Sequence, residues 1–382
     1  MLKVFYVCYF VVIGVSTPFF AVYLRRLGLS GQAVSTVLAV APALQLGVPL
    51  VWGWLADRTR HPALVLRGLC LCACLASVPV IFVRSMPLLL FLYIVQQFFA
   101  GSLTAMADSL AVERARTQRR DYTGVRLWGS ASFVATCLVA GAMLDWRTVK
   151  DGDPLVPTLI TVGFGLSFLA SLGLRGSASR ETPCLHDVKE LLRDGRLRFL
   201  FLIAGLHWVG LSPFHGFFGV LLQDRGLPAT TTSYAFMVGV GAEIVLFVAY
   251  ARLRSRFSLD SLFAVSFIVS AARWWIVAST RNPALIIATQ LLHAMTFGMF
   301  WATSMAWIGE CVPSKLRATG QMLFSTTLGI GALVGFPAVG ALYDATGGAG
   351  TAFAVAGSLE VIPILLVLRR LLRTRTKPAL VR

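Results

Sequence analysis

The sequence has few charged residues. Only 13% of its 382 residues are charged, whereas 57% are hydrophobic, and the mean hydropathy is +0.76. Soluble domains carry about a quarter charged residues. A water-soluble fold of this composition would have almost no polar surface, so we expect most of the chain to lie within a lipid bilayer.

Acidic residues are scarcer than basic ones, 17 against 34, which gives a formal net charge of +17. The Lys and Arg residues concentrate on alternate segments between the hydrophobic runs, which is the positive-inside pattern of a membrane protein whose two termini are cytoplasmic. The excess of basic residues therefore indicates how the chain is oriented in the membrane, and not a nucleic acid partner. Anionic lipid headgroups are the expected partners of the densest clusters, which lie within 114–120, 252–256 and 369–375.

Sequence patterns of catalysis are missing. The chain has no His-x-x-x-His, Gly-x-Ser-x-Gly or His-Glu-x-x-His pattern, and no Gly-x-x-x-x-Gly-Lys-Ser/Thr loop for ATP. Its seven cysteines lie mostly in hydrophobic runs, and Cys70, Cys72 and Cys74 would point to different helix faces. We expect neither an enzyme nor a metal site, disulfide or bound cofactor.

Hydrophobic runs of about 20 residues, each long enough to cross the bilayer as a helix, recur along the whole chain. The first run is too long for the core of a signal peptide and has no clear cleavage site, so we expect it to remain in the mature chain. The runs predict an all-α membrane protein with twelve transmembrane helices near 4–24, 33–55, 64–83, 87–111, 122–144, 155–174, 199–221, 231–250, 259–279, 283–308, 317–342 and 349–368.

The longest polar stretch divides the runs six and six. We predict an N-terminal six-helix bundle (1–174), a cytoplasmic linker (175–198) and a C-terminal six-helix bundle with a basic tail (199–382). A weak repeat supports this division, because residues 24–30 (LRRLGLS) recur as 222–228 (LQDRGLP). Halves duplicated about an axis along the membrane normal are typical of one large transporter fold, with the substrate site at midplane.

The same register aligns Arg58 with Arg256. The segment around Arg58 reads Gly53-Trp54-Leu55-Ala56-Asp57-Arg58-Thr59-Arg60-His61. It resembles the G-x-x-x-D-R-x-x-R signature of the major facilitator superfamily, which implies a cytoplasmic latch made by Gly53, Asp57 and Arg58. The alternative is a short charged loop that only obeys topology rules. The second-half copy, residues 251–256, lacks the aspartate.

A narrower resemblance covers most of the chain. The residues that carry it are 18–20 (PFF), 121–130 (DYTGVRLWGS), 241–243 (GAE), 273–274 (RW), 290–293 (QLLH) and 317–321 (RATGQ). These stretches look like the phenylpropionate permease group, whose members are relatives of lactose permease. The resemblance implies a secondary transporter that takes up a small organic solute by alternating access and proton symport. We expect a monomer in the inner (plasma) membrane.

Ionisable residues within the runs are the candidate site. Each costs about 2.5 to 3.5 kcal/mol at the bilayer centre, so one that persists there faces a partner or a cavity. Glu243, Arg273 and His293 lie roughly 12 to 18 Å from their outer helix ends, which places them in one layer. We predict that all three bind substrate and that Glu243 also carries the proton. Glu360 falls near midplane too, but no motif gives it a role.

Asp108 and Arg126 lie nearer the cytoplasm on the fourth and fifth runs. The resemblance to lactose permease, in which an acid and an arginine at this separation grip the substrate, implies that this pair binds substrate. An ion pair at the helix ends is the alternative. A lined cavity is also indicated by helical spacing, because Gln97, Gly101, Thr104 and Asp108 fall on one helix face.

On the tenth run, Gln290, His293, Phe297, Trp301 and Ser304 also share a face. We include Gln290 and Trp301 among the predicted substrate-binding residues, although aromatic stripes often only pack.

The departures from lactose permease limit what the resemblance implies. Gln290 and Thr296 stand where that family has a lysine and a glutamate around its histidine, and Phe133 replaces its sugar-stacking tryptophan. We keep Phe133 as a predicted binding residue, but a galactoside would lose its main stacking surface. His207 and His215 are interpreted as hydrogen-bonded helix-packing residues rather than site residues.

Two rival functions remain open at this point. One is an exporter of drugs or metabolites by proton antiport with the same fold, and the other is a polytopic membrane enzyme. The solute is also open, because Arg126 and Arg273 suit a carboxylate, whereas Asp108 and Glu243 suit the hydroxyls of a sugar or nucleoside.

Overall fold

The computed structural model describes the backbone of residues 1–118, 122–147, 152–174, 191–313 and 316–375, and their side chains except at 112–126, 318, 374 and 375. The regular secondary structure of these residues is helical throughout. Eleven described helices are long and apolar enough to cross a membrane, and one further apolar helix has 17 residues. The predicted all-α membrane fold is confirmed.

We number these helices α1 to α12 in chain order. They are α1 Leu2–Arg26, α2 Gly31–Gln45 with Val48–Thr59, α3 Pro62–Ser77, α4 Met86–Ala100 with Leu103–Gln118, α5 Tyr122–Trp146, α6 Leu155–Ser171, α7 Gly195–Asp224, α8 Ala229–Arg256, α9 Leu259–Ser279, α10 Pro283–Cys311, α11 Arg317–Thr346 and α12 Gly350–Leu359 with Val361–Arg375. Each predicted run overlaps one of them. The interruptions in α2, α4 and α12 were not predicted.

Residues at the helix ends explain several boundaries. The side-chain oxygens of Ser30 and Asn282 accept hydrogen bonds from backbone N–H groups of the first turn, at 3.1 and 2.9 Å, and so cap α2 and α10. Gly28 after α1 and Gly226 after α7 adopt positive φ angles of 83° and 71°, which side chains disfavour. These two glycines occupy matching positions of the repeat.

The contacts between residues divide the chain into two units. Unit 1 comprises Met1–Glu181 and His215–Ser233, and the second of these segments is the end of α7 with the start of α8. α1 packs on both α5 and α6. A glycine permits this approach, because a Cβ at Gly14 would lie 2.8 Å from the carbonyl oxygen of Phe133.

The segment His215–Ser233 contacts α5 through polar groups. The Asp145 carboxylate accepts hydrogen bonds from the N–H groups of Ala229 (2.7 Å) and Thr230 (2.9 Å), which have no helical partner at the start of α8. Nearby, Ser233 Oγ donates to the carbonyl of Cys137 at 2.6 Å. These contacts explain why the segment groups with unit 1.

The predicted bundle boundaries stay a prediction. Most of the predicted linker, 175–198, lies outside the described residues, which resume at Leu191. The division into units by contact does not follow chain order. It assigns the end of α7 and the start of α8 to the unit that contains α1 to α6.

Unit 2 comprises Thr182–Phe214 and Tyr234–Arg382. Its aromatic core includes Phe263, Phe267, Phe300, Trp307 and Phe324, which come from α9, α10 and α11. Next to this core, Arg370 of α12 lies 3.2 Å from the carboxylate of Asp260, and its guanidinium covers the ring of Trp307. This contact ties the second half of α12 to the start of α9.

α10 changes its hydrogen-bonding pattern along its length. It begins as an α-helix at Pro283–Ala288, tightens to a 3₁₀ turn at Thr289–Leu292, widens to a π-helix at Ala294–Met299 and continues as an α-helix at Phe300–Cys311. π segments occur frequently at functional sites. The irregular part of α10 supplies most of the partners of the cluster described next.

Candidate functional site

A polar cluster of unit 2 surrounds Arg273 on α9. The side chain is fully buried, and it donates from Nη1 to Thr296 Oγ1 (2.7 Å) and from Nη2 to Gln290 Oε1 (2.5 Å). Nη1 also lies 3.3 Å from Nδ1 of His293. All three partners belong to the irregular part of α10, which therefore turns several polar groups towards one guanidinium.

Two aromatic rings cover the Arg273 guanidinium. Its Cζ atom lies 4.6 Å from the ring centroid of Phe214 and 4.4 Å from that of Trp274, which are cation–π contacts. Among the described residues, no carboxylate lies within 4.0 Å of the guanidinium, and its Nε has no hydrogen-bond partner. Arg273 is thus a buried cation whose direct partners are neutral, so its charge can attract an anionic group.

His293 connects Arg273 to Glu243 of α8. Its Nε2 lies 3.9 Å from Glu243 Oε2, and the two side chains are 10% and 18% exposed. Because an arginine only donates, His293 Nδ1 accepts and the ring proton sits on Nε2, which faces Glu243. The carboxylate, imidazole and guanidinium form a row with Glu243 at its more accessible end.

The structure therefore brings together four residues that the sequence selected on three different helices: Glu243, Arg273, Gln290 and His293. It also adds Thr296, which sequence analysis treated only as a departure from lactose permease. What the structure shows is their proximity, and their substrate-binding roles stay predictions.

The predicted aromatic residues pack against neighbours. His293, Phe297 and Trp301 stack in a column, with centroid distances of 5.3 and 6.1 Å. Trp301 also meets Phe324 edge-on at 5.7 Å. Phe133, in unit 1, is 8% exposed. These contacts are typical of helix packing, and the roles of Phe133 and Trp301 in binding stay predictions.

In unit 1, Asp108 faces α1. Its carboxylate accepts a hydrogen bond from the Tyr6 hydroxyl, and one turn away the Thr104 hydroxyl donates to that of Tyr9 at 3.3 Å. The predicted face of α4 is thus directed at polar groups of α1. The side chain of Arg126 lies outside the described residues, so its predicted pairing with Asp108 stays a prediction.

The predicted latch residues lie in the second part of α2. Asp57 and Arg58 are exposed, Gly53 is partly buried, and the Arg58 guanidinium lies 5.4 Å from the ring centroid of Trp54. In the described part of unit 1, no side chain forms a hydrogen bond or ion pair with Asp57. The latch role stays a prediction.

The second-half copy of the motif carries an ion pair. Arg254 at the end of α8 binds Glu310 at the end of α10, and their side chains are 38% and 53% exposed. Pairs this exposed contribute at most about 1 kcal/mol. The arginine nevertheless links the ends of two helices without the aspartate of the first copy.

A buried pair in unit 2 was missed by the sequence analysis. His207 Nδ1 lies 2.7 Å from Glu360 Oε1, and His207 Nε2 lies 2.9 Å from the carbonyl oxygen of Thr296. Both side chains are fully buried. The interpretation of His207 as a helix-packing residue omitted its acidic partner. The sequence did hold a signal for this pair. His207 and Glu360 each interrupt an apolar run, and an ionisable residue in such a run requires a polar partner.

Comparisons with known proteins agree with this architecture. The profile of the MFS_1-like family matches residues 1–355. Maltose permease of Geobacillus stearothermophilus is 26% identical over 333 residues, which cover 84% of this chain and 81% of that protein. The probable 3-phenylpropionic acid transporter of Escherichia coli is 27% identical over 315 residues, covering 79% and 80%.

Solved structures show the same fold at lower identity. The crystal structure of the nucleoside transporter NupG matches with a TM-score of 0.84 at 15% identity, covering 97% of this chain and 98% of that one. A bacterial homologue of the human lysosomal transporter Spinster matches with a TM-score of 0.77 at 14% identity, covering 99% and 98%.

The fold and the family define a membrane transporter of the major facilitator type, and not an enzyme, and the relatives named above are transporters of small molecules. The chain belongs to the MFS_1-like family. The polytopic-enzyme alternative is thereby removed.

Proposed function

We propose that this transporter takes up a small organic solute by proton symport, with Glu243 as the proton carrier. The observation that supports this proposal is the row formed by Glu243, His293 and Arg273. An acid at the accessible end of the row and a buried cation at the other end are what a site needs to respond to both a proton and a solute.

Proton and solute favour each other at this site. While Glu243 is ionised, its negative charge attracts the ring proton of His293 and the Arg273 guanidinium beyond it. Protonation of Glu243 removes that charge, so that Arg273 attracts an anionic or polar group of the solute instead. Closing the site withdraws the water that would solvate an ionised carboxylate, so the closed site requires the protonated form.

The relatives suggest which solutes to test. Their names refer to maltose, 3-phenylpropionic acid and nucleosides. We propose a solute from these three classes. A buried cation such as Arg273 suits the carboxylate of an aromatic acid, whereas the acids Asp108 and Glu243 suit hydroxyl groups.

We also propose that the protein is a monomer in the inner membrane with both termini cytoplasmic. The basic clusters support this orientation, since those at 114–120, 252–256 and 369–375 would all lie on the cytoplasmic side. Anionic lipid headgroups on that side would be their partners.

Reconstituted vesicles test the proposed function. Uptake of labelled 3-phenylpropionate, maltose and uridine is measured with the outside made more acidic than the inside. Symport predicts accumulation of at least one solute, and a protonophore should abolish it. Accumulation only when the acidic side is inside would instead indicate proton antiport. Accumulation of none of the probes above equilibrium would contradict proton-driven uptake of these solutes.

We expect Asp108→Asn and Arg126→Lys each to abolish uptake of the solute found in that assay. The amide removes the charge at position 108, and a lysine does not reproduce the planar fork of an arginine. Tyr6→Phe is the matched control, because it removes the hydrogen bond described for Asp108 and keeps its charge. Normal uptake by Arg126→Lys would show that the pair is only structural.

We expect Asp57→Asn to shift the balance between inward-open and outward-open forms while the protein stays folded and inserted. Loss of the carboxylate would weaken a latch at the end of α2. Labelling of single cysteines placed on either side of the membrane measures the two forms, with thermal unfolding as the control for folding. Labelling that matches the parent protein on both sides would argue against a latch.

A further inference from the structure

The buried pair His207–Glu360 holds a proton whose position follows from its hydrogen bonds. A carbonyl oxygen only accepts, so His207 Nε2 must donate to Thr296 and carries a proton. The contact of 2.7 Å between Nδ1 and Oε1 therefore needs one further proton, which either atom can supply. The pair is electrically neutral in both arrangements, Glu360–H with a neutral imidazole or carboxylate with imidazolium.

The surroundings favour the arrangement with the proton on Glu360. Both side chains are fully buried, and the rings of Phe267 and Phe300 lie 5.0 and 4.5 Å from the imidazole. Glu360 Oε2 has no hydrogen-bond partner among the described residues. Two full charges in such a place would be poorly solvated, whereas a protonated carboxyl satisfies its one donor on Nδ1.

Thr296 connects this pair to the Arg273 cluster. Its carbonyl accepts from His207, and its hydroxyl accepts from Arg273. Arg273 thus lies between two histidine–glutamate pairs, the partly exposed His293–Glu243 and the buried His207–Glu360. Of these ionisable groups, His207 contacts Glu360 directly, and Arg273 is linked to it through Thr296.

Further buried polar atoms lie on the face of α9 that includes Ser270. On α9, Ser266, Ser270 and Arg273 are spaced four and three residues apart and share one helix face. The two serine hydroxyls and Arg273 Nε are buried and have no hydrogen-bond partner within 3.5 Å among the described residues, although Ser270 faces the Glu360 carboxyl.

We propose that Glu360, hydrogen-bonded to His207, is a second proton-binding site of this transporter and is linked through Thr296 to Arg273. In the arrangement described here the site is loaded, as Glu360–H donating to His207. Release of the proton leaves a carboxylate beside His207, and the change reaches Arg273 through the hydrogen bonds that Thr296 makes to both residues. The proposal rests on proton coupling for its role in transport, but the site itself can be detected without any solute.

Infrared spectra of the purified full chain in lipid nanodiscs test the proposal. At neutral pH we expect a protonated-carboxyl band that is lost in Glu360→Gln and retained in Glu243→Gln. Glu310→Gln is the matched control for an exposed acid of the same unit. The band should shift in deuterated buffer, because a transported proton must exchange. Because Thr296 contacts both His207 and Arg273, we expect Arg273→Gln to shift the frequency of the band.

His207→Phe is a second variant that tests the assignment even if Glu360→Gln does not fold. It should keep the Glu360 band but move it to higher frequency, because the hydroxyl loses its acceptor. A band absent from the parent protein, unaffected by Glu360→Gln or never exchanged with deuterium would overturn the second site. None of these results depends on uptake, so the assignment of Glu243 in vesicles can fail or succeed independently.

Discussion

Replacing Glu243 by glutamine should leave exchange of solute across the membrane intact and abolish its accumulation. The amide has nearly the shape of a protonated carboxyl and no charge, so the row to His293 and Arg273 keeps the form that binds solute. It has no proton to release on the other side. In the parent protein a pH difference of one unit supplies about 1.36 kcal/mol and so about tenfold accumulation at one proton per solute. In Glu243→Gln the ratio should fall to about one.

Both quantities are measured on the same vesicles, exchange with equal solute on the two sides and accumulation with an imposed pH gradient. Glu310→Gln is the matched control, since Glu310 is an exposed acid of unit 2 paired with Arg254. It should accumulate solute as the parent protein does. Normal accumulation by Glu243→Gln would remove Glu243 as the carrier and leave Asp108, Glu360 or no proton coupling.

Part of this site was predictable because its signals are local. Glu243, Arg273 and His293 each interrupt a long apolar run, and counting residues from the helix ends placed them at similar depth. Since an ionisable group in lipid needs a partner, three such groups in one layer predict a cluster. The structure places His293 in contact with both of the others.

The buried pair was not predictable in the same way. Glu360 and His207 are 153 residues apart in sequence and share no motif. Their contact joins α7 to α12, which packs on α9, and it also depends on the π segment of α10 that brings the Thr296 carbonyl to His207. Apolar runs specify that helices exist, whereas a local change from α to 3₁₀ to π depends on tertiary contacts.

The latch and the first-half pair show another limit. Their residues are identified by a family resemblance. Such a resemblance implies what a residue does, but it does not say which residues it contacts. The structure finds Asp108 bound by Tyr6, a tyrosine that no motif had selected, and it finds Asp57 exposed. In both cases the structure gives the surroundings of the residue, and measurement of transport assigns its function.

Replacing Arg273 by lysine should reduce solute uptake about tenfold to a hundredfold, although the positive charge is kept. The guanidinium donates to Thr296 and Gln290 through different nitrogens and lies against two aromatic rings. An ammonium carries all its donors on one nitrogen and has no planar face. Loss of one charge-assisted hydrogen bond costs about 1.5 to 3 kcal/mol, which corresponds to that range of rates.

Arg281→Lys is the matched control for this prediction, because Arg281 is exposed between α9 and α10. It should transport normally, and thermal unfolding of both variants separates lost function from lost folding. A folded Arg273→Lys protein with full uptake would show that only the charge at this position matters. The contacts of the planar guanidinium with Gln290, Thr296 and the aromatic rings would then only help the helices to pack. A variant that binds solute but no longer closes around it would instead place the effect of those contacts on the conformational step.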